Sequence, residues 1–365
     1  MPPSLARDKR SSIARSSGSF VGQWLKLNWR DLVSMSVVGA VSAGIFVMPV
    51  PTTRTFPITF TNSGDVVYPD WAYPYRGWTI PSWLSGLISI GLPILVYIFA
   101  TLRIKSAWDL SAAIMGTIWS VLLATLFQVT IKQLIGGFRP TFLDTCRPDL
   151  NKLLSNATKP NPLNGSGYQD LFYTVDVCTQ TDKWQLKHAM TSFPSGHSTA
   201  AFAGFGFLFL WLNAKLKVWA DHRPAFWKLT VSLLPVLGAL LIACSLTIDA
   251  AHNWYDIVAG SAIGILTSLA AYRASYAAIW DWRYNHLALQ GREAFLYSTD
   301  PEDDELYKGQ TVTRAVGWGG RREWLGESSG VYSSTTGMRS GRRETSTQEG
   351  DSSSPTTPTA GHETV

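Results

Sequence analysis

Six long stretches without a charged residue are the feature that most constrains this chain of 365 residues. A bilayer core about 30 Å thick is crossed by about 20 apolar residues of helix, and the buried helices of soluble proteins seldom repeat such runs. We therefore predict an all-α integral membrane protein with six transmembrane helices. The predicted spans are Leu32–Val50, Trp83–Leu102, Leu110–Ile131, Ser198–Ala214, Leu229–Thr247 and Ile257–Tyr272.

Charge divides the chain into a membrane part and a polar tail. Residues 1–280 contain no glutamate and carry a net charge of +9, whereas residues 281–365 carry −4 and are rich in Ser, Thr and Gly. A tail of that composition cannot bury enough apolar surface to fold alone. We predict a basic N-terminus over 1–30, a six-span domain over 31–280 with an outer loop over 132–197, and a disordered tail.

Basic residues indicate which side of the membrane each segment faces. The first 30 residues hold six Lys and Arg, and short basic segments next to a span stay in the cytoplasm. With six spans, both termini are then cytoplasmic, and the segments 51–82, 132–197 and 248–256 lie on the lumenal, vacuolar or extracellular face. The last of these segments contains no Lys or Arg, as this orientation requires.

The large outer loop carries two further signs of a non-cytoplasmic compartment. Asn156-Ala-Thr and Asn164-Gly-Ser are N-glycosylation sequons, and Cys146 and Cys178 lie in the same loop. Because such loops permit disulfides, we predict glycosylation of both asparagines and a bond between the two cysteines. Cys244 falls within the fifth span, where it is interpreted as an apolar residue.

Three groups of chemically active residues fall at span ends that the topology places on this one face. None of these residues belongs to the basic segments that indicate the orientation, so their shared face is an independent observation. They are Lys132, Arg139 and Pro140 after the third span, Ser195, Gly196 and His197 before the fourth, and Ser245, His252 and Asp256 around the loop between the fifth and sixth.

The residue types suit a phosphate-bearing ligand. Arg139 offers a planar fork to phosphate oxygens and Lys132 a point charge, while the helix start at His197 supplies backbone N–H groups. His197 and His252 can divide the roles of general acid and nucleophile. Asp256 lies one helical turn after His252, where a carboxylate can fix the imidazole tautomer.

In this order and spacing, the residues resemble the type 2 phosphatidic acid phosphatase, or lipid phosphate phosphatase, superfamily of six-span enzymes. That family carries Lys-x6-Arg-Pro, Pro-Ser-Gly-His and Ser-Arg-x5-His-x3-Asp motifs. The chain matches the first motif over 132–140, the second over 194–197, and the third at Ser245, His252 and Asp256. The resemblance covers about residues 25–280, and the segment from Phe56 to Pro74 resembles the fungal diacylglycerol pyrophosphate phosphatase branch.

The resemblance implies a mechanism and a substrate class. His252 would form a phosphohistidine, Asp256 would orient it, and His197 would protonate the leaving group and then activate water. The phosphate oxygens would be held by Lys132, Arg139, Ser195 and Gly196. The family needs no metal or other cofactor, and its substrates are lipid phosphates in the bilayer, such as phosphatidate and diacylglycerol pyrophosphate. Nucleic acid is not an expected partner, and the oligomeric state is not implied.

One position departs from the family pattern, because Leu246 stands where the third motif has arginine. Three explanations remain open. Arg147 or Lys187 replaces the missing cation, or the enzyme is slow or selective, or the protein is a pseudophosphatase that binds lipid phosphate without turnover. A non-catalytic scaffold acting through the tail is also open, whereas a transporter is disfavoured because the spans lack central charges.

Overall fold

The computed structural model describes residues 20–50, 54–58, 67–154 and 161–289. The described chain is mostly helical. Its elements are α1 (Phe20–Val47), β1 (Phe56–Pro57), α2 (Ser82–Ile104), α3 (Ala107–Leu134), α4 (Phe142–Cys146), α5 (Leu150–Leu154), β2 (Phe172–Tyr173), α6 (Lys183–Ala189), α7 (Gly196–Leu216), α8 (Phe226–Ile248) and α9 (Trp254–Ser275). The strands β1 and β2 pair antiparallel, with Phe56 opposite Tyr173.

Six of these helices, α1, α2, α3, α7, α8 and α9, are long and apolar enough to cross a membrane. Their outer surfaces expose large apolar side chains, such as Phe226, which is 81% exposed, and also Leu102 and Leu266. A soluble protein seldom exposes such a continuous apolar surface, whereas lipid tails cover it. The predicted all-α architecture with six transmembrane helices is confirmed.

Helix α7 lies at the centre of the bundle and packs against α2, α3, α8 and α9. Glycines allow two of these contacts to be very close. A Cβ atom at Gly204 would lie 1.9 Å from the carbonyl oxygen of Ser89 in α2, and one at Gly260 of α9 would lie 2.5 Å from that of Ser195. Small residues are the usual means of close approach between membrane helices. The start of α7 is thereby fixed against the start of α9.

Helix α1 is longer than the apolar run Leu32–Val50 from which it is predicted. It begins at Phe20, so Lys26 and Arg30 of the predicted N-terminal segment lie on the helix. The apolar run marks where lipid contact begins, but a helix continues until a residue breaks it, and these long polar side chains are good helix formers. The part able to cross the membrane is Trp24–Val47, and α1 packs mainly against α3.

Helix α9 ends at Ser275, three residues after the predicted sixth span, although the apolar sequence continues to Trp280. Tyr276 is extended and forms a bridge with Ala288. The backbone N–H of Leu289 then donates to the carbonyl of Ser275. The chain therefore folds back on itself directly after the last transmembrane helix.

The returning segment, residues 276–289, closes the end of the bundle at which α7 ends. Lys217, just after α7, donates a 2.9 Å hydrogen bond to Oδ1 of Asn285, which is buried. Ordered structure thus extends past the predicted boundary at 280. The rest of the predicted tail, residues 290–365, lies outside the described residues.

The predicted outer loop packs at the other end of the bundle, where α3 ends and α7 begins. Phe56 and Phe142 form an edge-to-face contact there, with ring centroids 4.6 Å apart. Cys146 and Cys178 form a disulfide, with their Cα atoms 4.7 Å apart. Cys244 is exposed on α8, on a helix that faces lipid.

The two predicted glycosylation sites differ. Asn156 lies outside the described residues. Asn164 is only 6% exposed, and its Oδ1 accepts hydrogen bonds from the backbone N–H and the hydroxyl of Thr174. This folded arrangement disfavours a glycan on Asn164, and glycosylation of both sites stays a prediction.

The close contact between α2 and α7 gives a direct test of the packing. We expect Gly204→Val to lower the midpoint of thermal unfolding in detergent by several degrees, because overpacking typically costs about 1–3 kcal/mol and the neighbouring atom is backbone. Gly86→Val on α2 is the matched control, since no atom lies within 4 Å of a Cβ built there. Equal midpoints for the two variants would contradict the packing.

Candidate active site

A glycine pair directs the chain back over the end of α3. Gly136 and Gly137 have φ angles of 64° and 92°, a region that favours glycine. Both form isolated bridges to the segment before α7. Lys132, in the last turn of α3, donates to the carbonyl oxygens of Thr191 at 2.9 Å and Ser192 at 3.1 Å in that same segment.

Arg139 comes next along the chain and is 6% exposed. Its Nε donates to the carbonyl of His188 at 2.6 Å, and its Nη1 donates to the carbonyl of Ala251 at 2.6 Å. The same Nη1 lies 3.2 Å from Nε2 of His252. The guanidinium therefore joins the Lys-x6-Arg-Pro segment directly to the imidazole of the third motif.

The contacts of His252 define its tautomer. An arginine N–H can only donate, so Nε2 of His252 accepts from Arg139 and the ring proton is on Nδ1. This Nδ1 lies 3.4 Å from Oδ2 of Asp256 and 3.3 Å from the hydroxyl of Ser192. Asp256 is fully buried, and its Oδ2 also accepts from the Ser192 hydroxyl and from the N–H of Asn253. The carboxylate thus orients the imidazole with the Nε2 lone pair towards the cation.

The start of α7 supplies the second histidine. Ser195 caps the helix, and its N–H donates a 3.0 Å hydrogen bond to the carbonyl of Asp256. Gly196 is the first helical residue and His197 the second. Nε2 of His197 lies 2.9 Å from the carbonyl oxygen of Ile80. Because a carbonyl only accepts, Nε2 is the donor and Nδ1 is the nitrogen that can exchange a proton with a ligand.

Burial and the neighbouring charges set the protonation states. Burial lowers the pKa of Arg139 to about 10, against the opposing effect of Asp256 and Tyr75, so the guanidinium stays charged at neutral pH. Burial lowers the pKa of His252 well below its ordinary value, and the positive charges of Arg139 and Lys132 lower it further. His252 is therefore a neutral base beside two cations.

Most of the residues proposed from the sequence meet at this end of the bundle. The hydroxyl of Ser245 donates to the carbonyl of Ile242 inside α8 at 2.8 Å, so its hydrogen bond lies within its own helix. Pro140 takes part through its carbonyl oxygen, which accepts from the N–H of Tyr73. The residues that come together are Lys132, Arg139, Pro140, Ser195, Gly196, His197, His252 and Asp256.

Both cations suggested as a substitute for the missing arginine donate to backbone carbonyls outside the candidate site. Leu246 is fully buried at 0% exposure. Arg147 is exposed, and its Nε donates to the carbonyl of Asp144 at 3.2 Å. Lys187 donates to the carbonyl of Phe46 at the end of α1 at 2.5 Å. The Arg147 bond is local, whereas the partner of Lys187 lies 141 residues away along the chain, so the spacing of the outer loop could not show that contact.

Sequence reasoning missed two residues that contact the histidines. Ser192 links Asp256 to His252 and lies two positions before the Pro-Ser-Gly-His motif, where proximity could have drawn attention to it. Trp78 lies far from every motif along the chain. Its ring stacks on His197 with a centroid distance of 5.3 Å and an interplanar angle of 6°, and the guanidinium carbon of Arg139 lies 5.2 Å from the ring centroid. No local signal predicts that contact.

Positive charge at the site comes from Lys132 and Arg139. Within the described ranges, no group of three or more His, Cys, Asp or Glu side chains is arranged to hold a metal ion. A neutral imidazole, a carboxylate and two cations therefore lie together at the ends of helices able to cross a membrane. The chain is a polytopic membrane protein whose candidate site suits an anionic, phosphate-like group in charge.

Comparison with known proteins identifies the family. The family model described as the PAP2 superfamily matches residues 113–280. Lipid phosphate phosphatase 2 of Arabidopsis thaliana is 34% identical over 212 residues, which are 57% of this chain and 66% of that protein. A PA-phosphatase related-family protein of Dictyostelium discoideum is 31% identical over 263 residues, 72% of each chain. A probable diacylglycerol pyrophosphate phosphatase 1 of Schizosaccharomyces pombe is 30% identical over 69% of this chain and 84% of that protein.

This chain belongs to the PAP2 superfamily. The match covers slightly less than two thirds of the plant relative. No solved structure matches the chain significantly.

The electrostatics of His252 can be tested by titration. We expect its pKa in the folded protein to lie below 6.5, and Arg139→Gln to raise it, because removal of a nearby positive charge makes protonation easier. The measurement is a pH titration of ¹⁵N-histidine NMR signals in nanodiscs, assigned with His252→Asn. Arg147→Gln, at an exposed arginine away from the site, should leave the pKa unchanged. A pKa above 6.5 in the unaltered protein would contradict the arrangement.

Proposed function

We propose that the protein is an integral-membrane lipid phosphate phosphatase that works without a metal through a phosphohistidine. The observation that carries the proposal is the pairing of His252 with Arg139 and Asp256: Nδ1 faces the carboxylate, and the lone pair of Nε2 faces the guanidinium. A phosphate oxygen that accepts the hydrogen bond from Nη1 of Arg139 would release the Nε2 lone pair of His252 and bring phosphorus close to it. The buried position of Arg139 strengthens its attraction for that oxygen.

The first half-reaction transfers the phosphoryl group to the protein. Nε2 of His252 forms a bond to phosphorus as the bond to the leaving oxygen breaks, and His197 in its protonated form gives that oxygen a proton. Arg139 and Lys132 stabilise the charge on the phosphoryl oxygens, together with the N–H groups at Gly196. The products of this step are the dephosphorylated lipid and phosphohistidine.

The second half-reaction reverses the role of His197. Its neutral imidazole takes a proton from water as the water oxygen bonds to phosphorus and the bond between nitrogen and phosphorus breaks. Inorganic phosphate leaves and His252 is neutral again. Asp256 supports both steps, because a carboxylate on Nδ1 stabilises the positive imidazole ring. The cycle needs no electron donor and no second substrate besides water.

The position of the site suggests a lipid headgroup as the substrate. Trp254, at the start of α9, is 72% exposed, and the neighbouring Tyr255 is also exposed; such rings favour the boundary between membrane and water. The names of two relatives refer to lipid phosphate and diacylglycerol pyrophosphate. We extend this to phosphatidate, diacylglycerol pyrophosphate and related lipid phosphates here, with the site on the non-cytoplasmic face and both termini in the cytoplasm.

A pseudophosphatase is the second candidate, and Leu246 is the observation that favours it. The family arginine at this position would add a donor for the phosphoryl group. Loss of a preorganised donor typically costs about 10²–10³ in rate. In that case the histidines and cations would bind lipid phosphate without turnover.

The first test is phosphate release in detergent–lipid micelles containing EDTA. We expect the unaltered protein to release phosphate from phosphatidate or diacylglycerol pyrophosphate, and His252→Ala to abolish release because it removes the nucleophile. The matched control is His222→Ala, at an exposed histidine that follows α7. A folded, lipid-bound protein without turnover would contradict the phosphatase proposal and favour the pseudophosphatase.

The second test addresses Leu246 directly. We expect Leu246→Arg to change the rate of phosphate release by less than about tenfold in protein that remains folded, since the present donors already suffice for turnover. A gain of about 10²–10³ would show that the native site lacks an essential donor. Leu246→Met controls for the loss of leucine packing, and thermal unfolding of each variant identifies protein damaged by burying a charge.

A further inference from the structure

The segment 67–81, which we call the outer strap, crosses the site end of the bundle between β1 and α2. It is held at three points. The N–H of Tyr73 donates to the carbonyl of Pro140 at 3.0 Å, and the N–H of Tyr75 donates to Oδ2 of Asp144 at 2.9 Å. The backbone and hydroxyl of Thr79 donate to the two carboxylate oxygens of Asp249 at 2.8 and 2.5 Å. These anchors belong to the chain after Arg139 and to the end of α8, so the strap joins both sides of the site.

The strap restrains the His197 ring in two different ways. The hydrogen bond from Nε2 to the carbonyl of Ile80 sets the direction in which the ring points. A single hydrogen bond leaves the ring free to tilt about the line of that bond. The parallel indole of Trp78, at 5.3 Å, opposes this tilt. Together the two contacts define where Nδ1 of His197 lies.

The same indole also lies against the cation of the site. The guanidinium carbon of Arg139 is 5.2 Å from the centroid of the Trp78 ring. The electron-rich face of an indole attracts a cation, and the ring excludes water from a group that already donates to two backbone carbonyls. One half-buried side chain therefore contacts both the proposed general acid and the proposed phosphate clamp.

We propose that Trp78 is a positioning residue, which keeps His197 and Arg139 in one relative geometry around the phosphoryl group. The inference rests on the proposed phosphatase function and assigns the outer strap a part in it. It also gives the site a restraint that does not depend on an arginine at position 246. Trp78 acts through its two neighbours, so its loss should affect the chemical step more than the binding of lipid.

The kinetic test compares three variants of Trp78. Trp78→Phe keeps an aromatic face, Trp78→Met has a bulk close to that of Phe without an aromatic face, and Trp78→Ala removes the side chain. We expect Ala and Met to lower kcat by about 10–100-fold, the range that misplaced catalytic groups produce, with KM changed by less than about threefold. Phe should retain most of kcat. The effect should be the same for phosphatidate and for the soluble ester p-nitrophenyl phosphate. Val67→Ala, at an exposed residue of the same strap outside its three anchors, should leave kcat unchanged.

A double-mutant cycle separates positioning from general damage. If Trp78 acts through His197, Trp78→Met should slow the His197→Ala protein by less than about threefold, because the group that it positions is absent. Fully multiplicative losses would overturn the proposal. A loss confined to KM for the lipid would also overturn it, since that result assigns Trp78 to lipid binding.

A measurement without turnover keeps this proposal distinct from the phosphatase itself. Diethyl pyrocarbonate modifies accessible imidazoles, and its attachment to His197 can be followed by mass spectrometry of the full-length protein. We expect Trp78→Met to increase the labelling rate of His197 by at least about fivefold, and Trp78→Phe and Val67→Ala to leave it near that of the unaltered protein. Unchanged labelling in Trp78→Met overturns the positioning role, even if the protein proves to have no phosphatase activity.

Discussion

The close approach of α7 and α9 is the contact on which the rest of the site depends. Gly260 leaves no room for a side chain beside the carbonyl of Ser195, and the N–H of Ser195 donates to the carbonyl of Asp256. These two contacts align the beginnings of the two helices. His197 follows one helix start and His252 precedes the other, so the separation of the two imidazoles is set by backbone packing. Backbone contacts of this kind are more rigid than contacts between long side chains.

The second constraint is electrostatic, because the site keeps two cations in an apolar setting without pairing either with its own carboxylate. Lys132 and Arg139 are instead satisfied by backbone carbonyls. A carbonyl carries only a partial charge, so these bonds hold the cations in place while leaving the site net positive. The carboxylate of Asp256 is directed through Oδ2 to His252 and Asn253. An anionic ligand is therefore not in competition with a permanent carboxylate partner of Arg139.

The transmembrane helices and the motif residues could be predicted from the sequence because their signals are local. A run of uncharged residues such as Leu110–Ile131 by itself indicates a transmembrane helix, and the spacing from His252 to Asp256 is one helical turn. Helix ends were less predictable, since α1 starts in polar sequence and α9 stops at Ser275, directly before the bridge between Tyr276 and Ala288. Ser245 shared a motif with His252, but its hydroxyl turned out to bond within α8.

Contacts between segments that are distant along the chain could not be predicted from the sequence. Trp78 meets His197 and Arg139 only because the outer strap is anchored at both ends, and nothing in the residues around Trp78 encodes those partners. The same limit explains Lys187, whose position in the outer loop suggested a phosphate ligand but whose amine bonds to Phe46 at the end of α1. The sequence of a loop shows which cations are available, whereas the fold determines which of them lie close to the site.

These restraints also bear on the absence of an arginine at position 246, because they supply charge and alignment from other residues. A site that relied on one flexible cation would lose both charge and alignment with that substitution. Here the charge comes from Lys132 and Arg139, and the alignment comes from the helix starts and from the stacked ring of Trp78. Leu246 itself is buried at the end of α8, where an apolar side chain adds to packing and an arginine would require a partner. The substitution therefore removes one donor but leaves the geometry of the histidines, the carboxylate and the two cations intact.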